Sequence, residues 1–252
     1  EGKYYVFNHR ELSAIENIEK YFDIKPEGNW EGKIILKEKT YPPEGIISKL
    51  RSIRKKKVKP AFDNKIQLDL NCFWISSLIS ANSVVPNKKF LENAEIFFNE
   101  IDQQFLQGEI YHSNSRDISF LEDFAYVINA LIDLNEATLK PKYKFKAVEI
   151  CKQAIDQFYV KEKKIFQKNK IKYNDLFHNP IDISDHTIPN GNSIMLLNLT
   201  RLGFKKESQE LATSLNGYLN NYKSFMASGL KAIDYFNEIS AGKNCDTSGC
   251  KS

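Results

Sequence analysis

Residues 119–139 read S-F-L-E-D-F-A-Y-V-I-N-A-L-I-D-L-N-E-A-T-L. Apolar side chains fall on nearly every side of a helix built from this stretch. In the following residues, 141–158, they recur every three or four positions on a single face. A helix that is apolar all round must be covered on all sides, while an amphipathic helix keeps one face in water. The two stretches therefore predict a buried helix paired with an exposed one.

The same alternation occurs before and after this pair. Residues 66–85 and a stretch that begins at Asn192 are apolar nearly all round, and they precede the amphipathic stretches 88–106 and 205–222. The spacing between the buried stretches exceeds the period of about 33 to 34 residues that tetratricopeptide and ankyrin repeats have. An inner and an outer ring of antiparallel helices would give this pattern. We therefore predict an α/α toroid of helical hairpins, with an irregular helical bundle as the alternative.

The composition is that of a mainly helical globular protein. Of 252 residues, 42% are apolar and 27% are charged, while 11 glycines and 8 prolines are too few for a turn-rich β-sandwich or a disordered chain. We predict a single, incomplete toroid segment over residues 1–252, with a few short strands. Its parts are a leading hairpin with a basic helix in 1–59, three helical hairpins and a last helix in 60–240, and a tail in 241–252.

The leading part has a mixed pattern. Residues 3–7 and 32–36 are apolar runs beside turn residues, and both are predicted to be short strands. Between them, Asn8 and Glu11 have the spacing of a capping box, in which two side chains bond each other's backbone at a helix start. We predict that a helix begins there and runs to about Phe22.

Charge and targeting signals set the expected partners. The net charge is +4, and the densest basic run, residues 51–59, ends a helix predicted from Pro43. Clustered Lys and Arg side chains can bind nucleic acid, but basic residues in a last turn also suit the helix dipole, so we favour a solvated helix end. A run of about 18 apolar residues and the pattern of a signal peptide are not visible in residues 1–252, so we expect no membrane partner. We expect a cytoplasmic protein and, because the chain begins with Glu1, a processed or internal fragment.

Four cysteines do not indicate a disulfide framework in a chain of this length. Cys72 and Cys151 lie in apolar helical stretches and are predicted to be buried hydrophobic side chains. Cys245 and Cys250 form a C-x4-C pair near the end of the chain. Because zinc sites normally have two further ligands nearby, we favour free or loosely paired thiols over a metal site. No cofactor and no metal are predicted.

Polar loops precede the three predicted buried helices, and each brings a carboxylate, namely Asp63, Asp123 or Asp185. The inner helices of a toroid run in one direction, so these loops meet at one rim of the ring. Converging carboxylates can act on sugars when one is protonated and another is ionised. We predict that these three are catalytic. The alternative is that they cap helix N-termini, a position that Asp favours.

Residues beside these carboxylates are predicted to bind a sugar-like substrate: Lys65, Glu122, His186, Asn192 and Ser193. Ser119 and Glu122 also have capping-box spacing, which predicts that Ser119 caps the second buried helix. His186 follows Asp185 directly and is a candidate general base, because a carboxylate orients an imidazole. A lone loop histidine is more often simply exposed, and that interpretation stays open.

Five short motifs occur in order along the chain. They are E-G-K-Y-Y-V-F at 1–7, G-N-W-E-G-K-I-I-L at 28–36, P-A-F-D-N-K at 60–65, F-L-E-D-F-A at 120–125 and P-N-G-N-S at 189–193. Together they resemble the motifs of the YyaL-like thioredoxin-domain-containing proteins, relatives of the spermatogenesis-associated thioredoxin-like protein. The sequence departs from the family pattern at Asn64, where the family has a second Asp, at 70–72, where L-N-C replaces W-N-G, and at Asn190, which replaces Ser.

This resemblance implies an N-terminal thioredoxin-like domain followed by a six-hairpin toroid related to glycosidases and N-acylglucosamine 2-epimerases. The present chain would begin after the thioredoxin-like domain and would therefore lack its redox motif. Two functions stay open. The toroid binds or acts on a carbohydrate-like substrate through its rim carboxylates, or it is a non-catalytic helical scaffold that regulates the upstream thioredoxin-like domain of the parent chain.

Overall fold

The computed structural model describes residues 2–116, 118–171 and 178–242 of the chain. The chain divides into two compact units, Glu1–Asn64 and Lys65–Ser252. Each unit has a hydrophobic core of its own. The candidate site belongs to the second unit, so the first is described only briefly.

The first unit is built from short elements. Two 3-10 turns span Gly2–Tyr4 and Ile18–Lys20, and two helices, α1 and α2, span His9–Ser13 and Glu44–Lys55. The predicted capping box is confirmed, since the Asn8 N–H donates to Glu11 Oε2 at 2.7 Å. The predicted continuation of this helix to Phe22 is wrong. Asn17 has a left-handed backbone with a φ of 60°, and a right-handed helix cannot pass through that conformation.

The two short strands predicted in this unit do not form in the part of the chain that the structure describes. Phe7 and Ile34, one from each predicted strand, instead form an isolated antiparallel bridge with backbone hydrogen bonds of 2.9 and 2.8 Å. Both side chains enter a small core between the turns and helices. The core residues are Phe7, Leu12, Ile15, Ile18, Phe22, Ile34, Ile46 and Leu50.

The second unit is mainly helical. Its helices are α3 Leu68–Val84, α4 Lys88–Phe105, α5 Leu121–Thr138, α6 Pro141–Phe158, α7 Gly191–Leu202, α8 Lys205–Tyr222 and α9 Ala227–Ser240. A two-stranded antiparallel hairpin, β1 Tyr159–Val160 and β2 Ile165–Phe166, follows α6, and a 3-10 turn, Lys223–Phe225, precedes α9. No described helix combines the length and the apolar character needed to cross a membrane.

The helices of this unit form two layers. In the inner layer α5 packs between α3 and α7, and α9 packs on the other side of α7. In the outer layer α4, α6 and α8 each pack on the inner helix that precedes them in the chain. This is the predicted arrangement of buried and amphipathic helices in an α/α toroid. It arises because α5 has no wide polar face and can only be stable when neighbours cover it.

The helix α3 is less buried than its sequence predicts. Leu70, Phe73 and Trp74 are 44%, 38% and 55% exposed on one face, whereas the opposite face contributes buried side chains to the core. The prediction that this helix is covered all round is therefore wrong. The reason lies in its position, because α3 is the first helix of the inner layer and has a packed inner neighbour, α5, on one side.

A polar stripe interrupts the apolar surface of α5. Its members, Glu122, Tyr126, Asn129, Asp133 and Glu136, are separated by four, three, four and three residues. This spacing places all of them on one face of the helix. The stripe runs from the N-terminal end of α5 to its C-terminal end, and the two ends differ in how their polar groups are paired.

Candidate ligand site at the helix N-termini

The first turn of α5 contains two adjacent carboxylates, Glu122 and Asp123, and one of them caps the helix. The N-cap is Phe120, and its N–H donates to Asp123 Oδ2 at 2.8 Å. The predicted capping box of Ser119 and Glu122 is therefore wrong by one residue. Ser119 is buried, and its Oγ has no hydrogen-bond partner among the described residues. Asp123 caps the helix, and Glu122 does not.

The second oxygen of Asp123 orients a histidine that sequence reasoning missed. His112 Nδ1 lies 2.9 Å from Asp123 Oδ1, and the Asp123 side chain has no exposed surface. On the other side of the ring, His112 Nε2 lies 3.1 Å from Gln67 Nε2. The hydrogen bond with Asp123 raises the pKa of His112, and burial of the ring partly opposes this shift. The backbone of His112 is held as well, since its carbonyl accepts the Leu68 N–H at 2.8 Å.

Asp69, in the first turn of α3, completes a cluster with His112 and Asp123. Its Oδ1 lies 4.0 Å from His112 Nδ1 and accepts the Leu70 N–H at 2.7 Å. Burial raises the pKa of Asp69, and the nearby Asp123 adds to this shift. One ligand atom from each of the three side chains lies within 4.8 Å of the other two, and among the described residues this is the group that could hold a metal ion.

Glu122 lies beside this cluster at the junction of α5 and α7. Its Oε2 is buried and has no hydrogen-bond partner among the described residues. Its Oε1 lies 3.2 Å from the point where a Cβ at Gly191 would be, so the absent side chain of Gly191 lets α7 approach this carboxyl. Burial raises the pKa of Glu122, a hydrogen bond from its own backbone N–H and the nearby Lys168 oppose that shift, and Asp182 and Asp123 reinforce it.

A half-buried aromatic ring and a lysine lie next to these acids. The Phe120 ring makes an edge-to-face contact with His112 at a centroid distance of 5.1 Å, and Lys168 Nζ lies 6.0 Å from its centroid. Lys168 Nζ is also 3.6 Å from Asp182 Oδ2. We call this end of the inner layer the mouth, and define it by Asp69, His112, Phe120, Glu122, Lys168 and Asp182. His186, whose side chain is 73% exposed, lies at its edge with Nε2 3.7 Å from Asp182 Oδ2.

The predicted catalytic residue Asp185 has its carboxylate engaged elsewhere. It accepts hydrogen bonds from Asn190 N and Asn190 Nδ2 at 3.1 and 2.9 Å, from Ser228 N at 2.8 Å, and from Ser228 Oγ. Burial alone would raise the pKa of Asp185, but the hydrogen bonds from Ser228 and Asn190 outweigh it and lower the pKa. Because Ser228 lies in the first turn of α9, Asp185 caps that helix.

The predicted substrate-binding residues Asn192 and Ser193 are both buried. Asn192 accepts the Phe166 N–H and donates to the carbonyls of Phe166 and Asp182, at 2.9 to 3.0 Å. Ser193 Oγ accepts from Asn190 Nδ2 at 2.8 Å. These bonds tie the start of α7 to Phe166, Asp182 and Asn190, and they would have to open before either side chain could contact a substrate.

The other predicted positions lie in different places. Asp63 is exposed and belongs to the first unit, so its location beside Asp123 stays a prediction. Lys65 is exposed at the start of the second unit. Cys245 and Cys250 lie outside the described residues. Of the residues predicted from sequence, Glu122 lies in the mouth, and the buried Asp123 lies behind it and orients His112.

Comparison with known proteins supports the fold. No protein-family model and no curated protein match the sequence. Among the solved structures that resemble the chain are a glycoside hydrolase family 76 mannosidase from Bacteroides thetaiotaomicron (12% identity, TM-score 0.51), a cellobiose 2-epimerase from Bacillus thermoamylovorans (12%, 0.52) and a family 76 α-mannanase from Bacteroides thetaiotaomicron (14%, 0.53). The matches cover 63%, 72% and 75% of this chain and 46%, 57% and 55% of those proteins.

The chain therefore spans about half the length of these structural neighbours. At this level of identity the likeness shows the fold alone, and the fold is an α/α toroid of the glycosidase-like type. The predicted relation to the YyaL-like thioredoxin-domain-containing proteins receives no support from these comparisons.

Proposed function

We propose that the mouth binds a carbohydrate and that Glu122 exchanges a proton with it. The observation that carries this proposal is the environment of Glu122, whose Oε2 is buried without a hydrogen-bond partner among the described residues. Buried polar groups in native proteins normally have a partner, and leaving one without a partner destabilises the protein. A ligand hydroxyl that reaches this oxygen would supply the missing hydrogen bond.

The groups around Glu122 suit the two kinds of surface that a sugar ring presents. A sugar has hydroxyl groups at its edge and C–H groups on its faces. Lys168 can donate to a hydroxyl and Asp182 can accept from one, while the half-buried Phe120 ring offers an apolar surface to a face. A few oriented polar groups beside an apolar wall are typical of small-molecule sites.

The structural neighbours favour the same class of ligand. By their names they act on mannosides, mannan and cellobiose, and all of these are carbohydrates. A shared fold supports a function only weakly, because one fold can carry many chemistries. The local geometry of the mouth is therefore the stronger support, and the likeness narrows the set of ligands that should be tried first.

In this proposal Asp123 acts through His112. The Asp123 side chain has no exposed surface and cannot contact a ligand directly, but its hydrogen bond orients the His112 ring, which is partly exposed at the mouth. A catalytic role for Asp63 and Asp185 and substrate contacts by Lys65 and His186 stay predictions.

The test is a comparison of two glutamate variants of the full chain, Glu122→Gln and Glu136→Gln. Both residues belong to the polar stripe of α5, but they lie at opposite ends of the helix. Mannobiose, longer α-mannan oligosaccharides and cellobiose are the substrates, with binding measured by calorimetry and products by chromatography. We expect Glu122→Gln to lower turnover by about 10²- to 10⁴-fold, the usual contribution of a general acid or base, and Glu136→Gln to leave it unchanged.

Equal turnover in the two variants would contradict the role given to Glu122. If none of these saccharides binds to the wild-type chain, the carbohydrate proposal fails as a whole. The non-catalytic scaffold is then the better account, and binding of a separately produced upstream domain to this chain would test it. The thioredoxin-like nature of that domain is a prediction from the motif resemblance.

A further inference from the structure

The Asp69–His112–Asp123 cluster, defined by its three side chains, has the composition of a metal-binding site. It contains one imidazole nitrogen and two carboxylate groups, and the facing atoms lie within 4.8 Å of one another. The three residues come from α3, from the segment before α5, and from the first turn of α5. No short sequence motif contains them, which is why sequence reasoning did not combine them.

The distances suit a common central ion. A metal bound at about 2.0 to 2.2 Å from nitrogen and oxygen ligands keeps those ligands about 3.0 to 3.5 Å apart in tetrahedral or octahedral geometry. In the cluster, His112 Nδ1 lies 2.9 Å from Asp123 Oδ1 and 4.0 Å from Asp69 Oδ1. Side-chain rotations that move Asp69 by about 1 Å would bring the three atoms to metal-ligand spacing.

Asp69 provides a second, independent observation. The residue is 8% exposed, and the hydrogen bond that it accepts from the described residues comes from the N–H of the next residue, Leu70. A nearly buried carboxylate that faces a second buried carboxylate is unfavourable unless a cation lies nearby. Of the described lysines and arginines, none forms an ion pair with Asp69 or Asp123 within 4 Å. A proton taken up within the cluster or a bound metal ion would remove this cost.

The surroundings of His112 can serve both of these states. In the metal-free state, Nδ1–H donates to Asp123; Nε2 accepts from the Gln67 amide in the neutral ring, or donates to the Gln67 oxygen in the protonated ring once the amide has turned. If Nδ1 bound a metal, Nε2 would have to carry the proton and donate it. A half-turn of the Gln67 amide would then present its oxygen to Nε2–H, which is the outer hydrogen bond that metal-bound histidines normally make.

We propose that Asp69, His112 and Asp123 bind one divalent first-row transition-metal ion, such as Zn²⁺ or Mn²⁺. The imidazole nitrogen disfavours Ca²⁺ and Mg²⁺, which prefer oxygen ligands alone. Three protein ligands leave at least one coordination position for water or a ligand group. The exposed parts of Asp69 and His112 place that position on the open side of the cluster.

The experiment measures metal binding alone, without a saccharide, so its failure is distinct from a failure of the proposed function. The full chain carries Cys245→Ser and Cys250→Ser, because the C-x4-C pair in the tail could bind Zn²⁺ by itself. After treatment with a chelator, Zn²⁺ is titrated by calorimetry, and Co²⁺ is added as a spectroscopic probe of nitrogen and oxygen ligation. We expect one site per chain.

Asp69→Asn and His112→Gln are each expected to weaken Zn²⁺ affinity by at least about 10- to 100-fold, the loss typical even for outer-shell partners. His186→Gln is the matched control, because His186 also faces a carboxylate, Asp182, but belongs to no three-ligand group among the described residues. Circular dichroism confirms that each variant is folded. Asp123→Asn is avoided, since Asp123 also caps α5.

Unchanged Zn²⁺ affinity in Asp69→Asn and His112→Gln would overturn the proposal, as would loss of binding in His186→Gln alone. Absence of Zn²⁺, Mn²⁺ and Co²⁺ binding at millimolar concentration would overturn it too. In that case His112 is held by its hydrogen bond with Asp123, and Asp69 lies beside the ring without binding a metal ion.

Discussion

The two ends of helix α5 carry the same kinds of polar residues, but these residues are hydrogen-bonded differently at each end. At the C-terminal end, Arg201 of α7 joins the polar stripe: its Nη2 lies 2.6 Å from Asp133 Oδ1 and 2.7 Å from Glu136 Oε2, and its Nη1 lies 3.2 Å from Asn129 Oδ1. Asn129 in turn donates to Ser76 Oγ of α3 at 3.0 Å. This network ties three of the inner helices, α3, α5 and α7, together.

At the N-terminal end, by contrast, Glu122 has an oxygen without a hydrogen-bond partner among the described residues, and the Asp69 carboxylate accepts from the backbone N–H groups of Asp69 and Leu70. Among the described residues the buried side-chain atoms without a partner are Ser119 Oγ, Glu122 Oε2 and Asn198 Oδ1, and two of these three lie at the start of α5. Buried polar groups are normally paired, so unpaired groups gathered at one place favour a ligand site there. The comparison supports a structural role for the C-terminal end and the proposed ligand binding at the mouth.

The largest expected effect on stability comes from breaking the C-terminal network. Arg201→Ala leaves the partly buried Asp133 without its cation. We therefore expect the free energy of unfolding to fall by about 3 kcal/mol, as for a buried ion pair that loses one partner. This is the lower end of the usual range, because the second partner, Glu136, is largely exposed. Urea unfolding followed by circular dichroism measures this change. Arg51→Ala is the control, since its ion pair with Glu44 is exposed and contributes at most about 1 kcal/mol. Equal losses would refute the structural role of the network.

A smaller effect is expected where α7 approaches the mouth. A Cβ at Gly191 would lie 3.0 Å from two atoms of Leu121 and 3.2 Å from Glu122 Oε1, so Gly191→Ala should destabilise the protein by about 1 to 3 kcal/mol through overpacking. Gly217→Ala, the same change in α8 at a position with open space around it, should be neutral or stabilising by about 0.5 to 1 kcal/mol. Thermal unfolding of both variants measures these changes. If Gly191→Ala were as stable as wild type, α5 and α7 would not be in close contact at Gly191.

Asp185→Asn should lower the free energy of unfolding by a smaller amount, about 1 kcal/mol at neutral pH, because it weakens the cap of α9. The pKa of Asp185 is lowered in the folded state relative to about 3.9 in an unfolded chain. Its contribution is therefore complete above the unfolded value and is lost as the pH falls through the lower folded value. The wild-type protein should therefore be more stable than Asp185→Asn at neutral pH, and this difference in the free energy of unfolding should disappear in acid. Asp234→Asn, an exposed change on the same helix α9, is the control, and a pH-independent difference would contradict the assignment.

The smallest expected effect on stability is that of Glu122→Gln, within about 0.5 kcal/mol of wild type, since no hydrogen bond to its buried oxygen is lost. Glu136→Gln should destabilise more, by up to about 1 kcal/mol, because it weakens a bond to Arg201. For saccharide turnover we expect the opposite, with the larger loss in Glu122→Gln. Unfolding and turnover should therefore be measured in parallel on both variants. If the same variant showed the larger loss of both stability and turnover, the distinction between the two ends of α5 would be wrong.

The helices of the second unit were predictable because their apolar periodicity is strong and their ends carry clear signals. Pro141 opens α6 as predicted, and the Asn190 side chain, which accepts from Ser193 N, caps α7 close to the predicted start at Asn192. In the first unit the helix prediction went too far. Nothing in the polar stretch around Asn17 distinguished a helix interior from the left-handed residue that ends it.

The candidate site was harder to predict because it depends on which of two neighbouring residues, Ser119 or Phe120, is the N-cap of α5. Ser119 with Glu122 and Phe120 with Asp123 have the same spacing, and serine is the better capping residue, yet the backbone places Phe120 at the cap. His112 was missed since its partners lie in other elements. A signal for the cluster did exist, because Asp69 is the only charged residue of α3.

The most direct test of the central claim is the position of saccharide binding along α5. The backbone amide signals of isotopically labelled full chain would be recorded by nuclear magnetic resonance while mannobiose and then cellobiose are titrated. The account predicts shifts at residues 120–124 and at Lys168, with little change at residues 133–138. Shifts at the C-terminal end of α5, or none anywhere at saturating sugar, would contradict the assignment of ligand binding to the mouth.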